Sequence, residues 1–319
     1  MRLGASSILV VSIVGLVIAF PILRPPIYFT HLLIVIFLYA SLAISWHMLS
    51  GYTGYVSFGH AAYFGIGAYL TGLVFLAYEP PMPIAILIGG AAAGLVGLAL
   101  GLSCMRLRGY YFSIASLMLV FIGYVVFVNI TDIIPGARME IWLPTLPLDI
   151  FSYTALYYYI FLGFLAMNVA VSIWIERSKF GYGLRSIKED EDVAEMLGVE
   201  TTRLKAIASA ISAFSAGIAG ALYLQYLSYA DVGIYFNILL SFDVIFMSFV
   251  GGMGTWIGPL IASVILIPIS EGLTIVTRGE VGRILYGVLF IVAILLMPEG
   301  LYGLYKTRTR PRERASSGR

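Results

Sequence analysis

The stretch GYTGYVSFGHAAYFGIGAYLTGLV, residues 51–74, decides how the chain reads. Its second half is apolar enough to run as a helix through lipid or a core. Its first half carries Gly51, Gly54, Ser57, Gly59 and His60, which make a poor lipid-facing surface. Glycine lets backbones approach closely and lets a helix break. Irregular backbone at membrane depth is stable only where protein or water lines it. The stretch therefore predicts a span that starts from a glycine-rich, protein-lined or water-lined break, with Ser57 and His60 turned to that lining. For His60 the residue type alone favours a hydrogen bond to a neighbouring helix over contact with a substrate.

The rest of the chain fits a membrane setting. Of 319 residues, 60% are apolar and 11% charged, against about a quarter charged in soluble domains. Twenty of the 36 Asp, Glu, Lys and Arg fall in 176–205 and 306–319, which leaves long uncharged runs elsewhere. Apolar segments lie at 8–23, 27–49, 56–77, 83–104, 110–130, 156–175, 204–226, 239–251, 256–272 and 283–302. Runs of about 18 residues or more can cross the hydrocarbon as helices. The expected fold is all-α: a polytopic membrane bundle of about ten transmembrane helices over residues 1–305, with a basic tail at 306–319. The eighth segment is short and suits a tilted or interrupted span. Arg2 and the apolar run after it resemble a signal peptide, but no small-x-small cleavage site follows, so a retained first span is expected. The single Cys104 excludes an intrachain disulfide and a multi-cysteine metal site, and reads as a small core residue near a helix end.

Charge placement orients the spans, because Lys and Arg near span ends accumulate on the cytoplasmic side. Ten spans with an inside N-terminus put Arg2, Arg106, Arg108, the 176–205 loop and the tail from Lys306 all inside. The 131–155 loop falls outside, with Asp132, Glu140 and Asp149 against Arg138. Arg24, at an outer turn, is the exception. Helices in lipid pack closely through small side chains, and Gly90/Gly94, Gly97/Gly101, Ala213/Gly217 and Ala216/Gly220 all have the spacing for it. FGHAAYFGIGAYLTG and VGGMGTWIGPLIAS both open a span with clustered glycines, a faint internal echo.

Residues 176–205, ERSKFGYGLRSIKEDEDVAEMLGVETTRLK, are too polar for lipid and too long for a tight turn. Ser186 followed by Glu189 has capping-box spacing and predicts a helix start. Ile187, Ala194 and Leu197, with Val193 and Met196 beside them, form an apolar stripe. Asp192 and its acidic neighbours suit the first turns of that helix, and Gly198 supplies a stop. The result is a short amphipathic helix between two spans, either resting on its own bundle or docking a soluble partner.

Within this loop Asp192-Val193-Ala194-x-x-x-Gly198 resembles a degenerate Glu-Ala-Ala-x-x-x-Gly loop of permease subunits in ABC importers. SKFGYGLRSIKEDEDVAEMLGV is similar to the loop of branched-chain amino acid permeases of the LivM type. So are TGYVSFGHAAYFGIGAYL, RLRGYYFSIASL, FVGGMGTWIGPLIAS and LYGVLFIVAILLMPEGLYGL, in the same order along the chain from about residue 50 to 304. Asp192 and Val193 depart from the Glu and Ala of the motif. The resemblance implies an importer permease in the cytoplasmic membrane that carries leucine, isoleucine and valine. It implies a related permease subunit, two ATPase subunits that dock on Ser186, Glu189, Asp192, Ala194, Leu197 and Gly198, and an extracytoplasmic binding protein. ATP and Mg would sit on the ATPases, and this chain would hold no cofactor. The sequence agrees, since it has no GxxxxGK[ST] and no Gly-Lys pair. Permeases for urea, short amides or other amino acids share these features, so the substrate class stays open among them.

Other classes fit less well. An enzyme needs a nucleophile–base pair or a metal cluster, and three His with scattered carboxylates offer neither. An ion-driven carrier keeps ionisable relays deep in its spans, and these span centres hold few. Nothing points to nucleic acid. The candidate lining of a translocation route is Ser57, His60, Gly65 and Asp243. Glu271 at the end of the ninth segment is weighed beside Asp243, and His47 is expected at a span end near the interface.

Overall fold

The computed structural model describes residues 15–104, 110–130, 139–277, 280–296 and 300. Residues 15–19 are helical and a 3-10 turn spans Phe20–Leu23. The helices then run α1 Ile27–Trp46, α2 His60–Tyr78, α3 Met82–Cys104, α4 Tyr110–Val128, α5 Ile150–Arg177, α6 Lys179–Glu189, α7 Glu191–Met196, α8 Thr201–Leu227, α9 Val232–Tyr235, α10 Ile238–Gly251, α11 Ile257–Thr277 and α12 Glu280–Leu296. Among the described residues eight stretches are long and apolar enough to cross a bilayer: 27–51, 60–78, 82–103, 110–128, 150–177, 201–227, 232–251 and 257–277. Of the first expected segment, residues 8–14 lie outside the described residues and 15–23 are the helical residues and 3-10 turn that precede α1. The last appears as the 17-residue α12. The side chain of Cys104, Arg106 and Arg108, most of the first half of the 131–155 loop, and the basic tail also lie outside them.

Large apolar side chains point outward as well as inward. On α4 Tyr111, Phe121, Ile122 and Val125 are exposed, and Leu87 and Leu95 are exposed on α3. Water would not tolerate this surface, whereas lipid requires it. The chain is a multi-pass membrane protein.

The centre of the bundle is a three-helix contact of α2, α3 and α8, and absent side chains make it. A Cβ at Gly67 would land on the Gly217 carbonyl, and one at Gly220 on the Phe64 carbonyl. One at Gly217 would lie 2.5 Å from Cβ of Ala93 and 3.2 Å from Cα of Gly90. Further along, Gly101 faces Ala206, and Gly97 faces Ala213 and the Ser209 carbonyl. The small-residue spacings on α3 and α8 thus meet each other. Hydroxyls in the spans bond to their own backbone: Thr71 of α2 donates to the Gly67 carbonyl at 2.7 Å and Ser248 of α10 to the Val244 carbonyl at 2.9 Å. The Ser215 hydroxyl donates to the Asn168 amide oxygen across α8 and α5.

Contacts sort the connections onto two faces. One gathers residues 47–59, the α6–α7 loop and 252–256: Lys188 Nζ donates to the Gly51 carbonyl at 3.0 Å, and His47 Nε2 lies 3.3 Å from the Met253 carbonyl oxygen. The other carries a short antiparallel ribbon in which β1 (Ile141–Trp142) pairs with β2 (Tyr229–Ala230) in the register Ile141↔Ala230. There Trp142 packs at a tilt against Tyr229 with ring centres 4.5 Å apart. Arg24 and Asp149 share a cavity of about 260 Å³ on this second face. The relative sidedness agrees with the charge-based topology.

Replacing Gly217 by valine should destabilise the bundle by about 1–3 kcal/mol or more, the usual cost of overpacking. Gly163→Val, at a position with nothing near its would-be Cβ, should be close to neutral. Thermal unfolding of the two detergent-purified variants checks this, and equal melting points would contradict it.

Candidate functional site

Between α1 and α2 the helix is interrupted. Residues His47–Gly51 form a π turn, 54–58 have no regular secondary structure, and helix resumes at His60. Gly54 has φ +78°, a conformation that favours glycine. The link runs from the face into the bundle: Gly54 is exposed, Tyr55, Val56 and Phe58 are half-buried, and Ser57, Gly59 and His60 are buried. His60 Nε2 is 3.2 Å from Ser212 Oγ, about three turns into α8, so α2 starts deep in the bundle.

An interrupted backbone away from water must find partners for its amides and carbonyls. Here hydroxyls from elsewhere supply them. Ser116 Oγ accepts from the Phe58 amide at 2.9 Å, and Ser113 Oγ donates to the Val56 carbonyl at 2.7 Å, both from α4. Ser241 Oγ on α10 accepts from the Ala61 amide at 2.9 Å. Trp46 Nε1 donates to the Ser57 carbonyl at 2.8 Å, and Ser50 Oγ accepts from the Ser57 amide at 3.2 Å. Ser212 Oγ donates to the Ser45 carbonyl at 2.7 Å. That leaves Ser212 as acceptor toward His60, so His60 carries its proton on Nε2. His60 is thus a helix-to-helix hydrogen-bond donor.

A second interruption faces the first. The short α9 ends at Phe236, and α10 restarts after Asn237, whose side chain accepts from the Leu239 amide. Phe236 is buried between two glycines. A Cβ on Gly65 of α2 would sit 2.6 Å from two of its ring carbons, and one on Gly123 of α4 would sit 2.5 Å from another. Its ring stacks on Phe127 at 5.1 Å and leans on Tyr69 at 6.0 Å. The irregular link at the start of α2 and the broken span 232–251 meet around α2, and irregular backbone of this kind is what transporters use to build a path with movable parts.

The structure groups the sequence-derived residues unevenly. Ser57, His60 and Gly65 belong to one buried strip with Phe236 and Ser241. Asp243 does not. Two residues beyond Ser241 it lies on another side of α10, half-buried and within electrostatic reach of Tyr39 and Tyr286. Glu271 is inside α11, which continues to Thr277, rather than at its end, and is within reach of Tyr39 and Tyr223. His47 is fully buried in the π turn, its ring packed where a Gly51 side chain would be, and not interfacial. Ser113, Ser116, Ser241 and Phe236 were not singled out by sequence; lone serines and a phenylalanine in apolar runs carry no local signal.

The loop also differs from expectation. Ser186 does not start a helix. Ser178 does, accepting from the Gly181 amide at 3.2 Å, and α6 runs from there to Glu189. Ser186 instead donates back to the Gly183 carbonyl at 2.8 Å. Asp190 breaks the run and caps α7 by accepting from the Val193 amide at 3.1 Å. Two helices at an angle therefore replace one stripe. Ile187 and Ala194 turn inward, Ala194 to 1% exposure, while Val193, Met196 and Leu197 turn outward at 50%, 85% and 78%. Asp192 lies in the first turn of α7. Gly198, at φ +85°, ends it as expected. Burial beside the break pulls the Lys188 ammonium below the usual lysine range, with Arg185 adding to the shift. Among the described residues no group of three or more His, Cys, Asp or Glu could hold a metal.

Two substitutions test this geometry. Gly65→Ala should not be mild, because its methyl group forces the Phe236 ring to move; the added Phe236→Leu change should recover part of the thermal stability lost. His60→Gln should melt near the wild type, since an amide N–H can replace the imidazole donor. His60→Leu should cost about 1–3 kcal/mol by stranding buried polar groups. Melting temperatures of the purified variants decide both.

A family model described as the branched-chain amino acid transport system permease component matches residues 28–294. The high-affinity branched-chain amino acid transport system permease protein LivM of Salmonella typhimurium is 28% identical over 310 residues, covering 88% of this chain and 70% of its own. LivM of Escherichia coli is 25% identical over 306 residues, covering 88% and 71%. LivH of Escherichia coli is 29% identical over 290 residues, covering 83% and 91%. No solved structure matches. With a match that begins in α1 and ends in α12, and so takes in both interrupted spans and the loop between α5 and α8, the chain belongs to the branched-chain amino acid transport permease family.

Proposed function

We propose that this permease subunit passes leucine, isoleucine and valine across the cytoplasmic membrane as part of an ATP-driven importer. A related permease subunit pairs with it, two ATPase subunits dock beneath, and an extracytoplasmic binding protein delivers the substrate. ATP and magnesium are held by the ATPases. The observation that carries this reading is the family match along 28–294, with relatives named for high-affinity branched-chain amino acid transport. The buried strip from Ser57 to Phe236 supports it. Beyond Ser57, His60 and Ser241 the end of the strip is apolar and aromatic, with Gly65, Phe236, Phe127 and Tyr69, which suits passage of an aliphatic side chain without a tight, slow-releasing site.

The α6–α7 face is the cytoplasmic one on this reading, with both termini on the same side and the β1–β2 ribbon outside. The ATPase contact is the outward patch of Val193, Met196 and Leu197. Ala194 serves docking indirectly, by seating α7 on the bundle.

The test is ATP-dependent uptake of labelled leucine into vesicles holding the assembled complex, with urea as the competing substrate. Leucine uptake that needs ATP supports the reading; urea uptake without leucine uptake would overturn the substrate. Leu197→Glu and Met196→Glu should each cut co-purification of the ATPases and uptake by about tenfold, as for a central interface residue, while leaving the melting temperature unchanged. Ala194→Arg should lower the melting temperature itself.

A further inference from the structure

One carboxylate joins three elements at the base of the bundle. Glu191 is the first residue of α7. Its Oε1 accepts from Lys205 Nζ of α8 at 2.5 Å, and its Oε2 accepts from the Tyr55 hydroxyl in the interrupted link. The Lys205 side chain is fully buried and that of Glu191 is 15% exposed. Lys205 Nζ also stands 4.5 Å from the centre of the Tyr55 ring, which meets Phe112 of α4 edge-on at 5.7 Å. Two further ties run beside it. Lys188 of α6 holds the Gly51 carbonyl, and Glu195 of α7 accepts from the Thr201 hydroxyl of α8 at 2.5 Å.

Burying such an ion pair is a poor route to stability, because desolvation offsets most of the attraction and apolar residues of similar size do as well or better. What a buried pair does supply is a fixed geometry between the elements it joins, which here are unlike in rigidity. α7 is a single short helix whose outer side shows Met196 and Leu197. Residues 54–58 of the link have no regular secondary structure. From Tyr55 the link leads within five residues to His60, and from there along α2 to Gly65 and the Phe236 contact. A displacement of α7 must carry Glu191 with it, and Glu191 holds Tyr55.

We propose that Glu191, Tyr55 and Lys205 form the coupling joint of the transporter. Lys205 fixes the carboxylate, and the carboxylate delivers movement of α7 to the interrupted start of α2. These are positioning residues, which touch neither nucleotide nor substrate. The inference rests on the importer reading above, and its test needs the ATPases but no substrate.

The reporter is Val56→Cys, in the link itself, in a Cys104→Ser background of the whole complex. Its rate of maleimide labelling is compared without nucleotide and after trapping with ATP and vanadate. In the otherwise unaltered complex the two rates should differ. Glu191→Gln, Lys205→Met and Tyr55→Phe should each shrink that difference about fivefold or more, within the usual range of coupling between sites, while ATPase co-purification and ATP hydrolysis persist. Tyr55→Phe removes one hydroxyl and keeps the ring, so it carries the test if the charge variants fail to accumulate. The joint is refuted if the rates do not differ in the unaltered complex, or if the variants keep the full difference. It is also refuted if the variants lose the ATPases, which would make the cluster part of the docking surface. A complex that shows the nucleotide-dependent rate change but takes up no leucine would refute the substrate reading and leave the joint standing.

Discussion

Backbone amides without helical partners, held away from water, are the constraint on which this structure depends. Residues 54–59 run into the bundle and meet only part of their hydrogen bonds among themselves, as Gly59 does with Ser57. Side chains from elsewhere supply more: Ser113 and Ser116 of α4, Ser50 of the π turn and the indole of Trp46 bond the link, and Ser241 of α10 bonds Ala61 in the first turn of α2. Each such bond fixes a helix against the link, so the interruption is also what sets the positions of α4 and α10 around α2. Left unmet, buried groups of this kind cost about 1–3 kcal/mol each, so the link and its supporting helices are ordered together.

The glycine contact of α2, α3 and α8 plays the opposite part. Backbones that touch at Gly67, Gly89, Gly217 and Gly220 leave no slack for sliding. They form a stiff wall, against which the hydrogen-bonded link, the α9–α10 break and the α6–α7 loop are the parts able to rearrange. Interiors packed this closely switch between discrete arrangements rather than deform gradually. A permease needs that division: a frame that keeps its shape, and a strip running from the loop through Tyr55 and His60 to Phe236 that does not have to.

Much of this was legible in the chain. Uncharged runs gave the spans, and the 13 charges gathered in 176–205 marked the loop that lies between two of them. Gly51 to Gly59 announced a break that only a protein lining could tolerate, and His60 appeared as a helix-to-helix bond. The Gly90–Gly101 and Ala213–Gly220 spacings met as their pattern suggested. What failed was local pattern read without its surroundings. Ser186 and Glu189 have the spacing of a cap, but a helix begun at Ser178 already runs through them. Ala194 and Leu197 share a sequence stripe, yet α7 ends at Met196, so Ala194 inside it turns inward while Leu197 at its cap turns out. Ser113, Ser116 and Ser241 could not be found at all. Their partners lie 57, 58 and 180 residues away, and only the assembled fold brings them to the link.

The central claim is that the link is non-helical yet held by side chains of the helices around it. Amide hydrogen exchange of the detergent-purified chain, followed on peptides covering residues 54–62, tests it most directly. The account predicts that the Phe58 and Ala61 amides exchange as slowly as helical amides of α2, and that Ser116→Ala with Ser241→Ala speeds these two amides while the middle of α2 stays protected. Rapid exchange across 54–62 in the unaltered chain would contradict it.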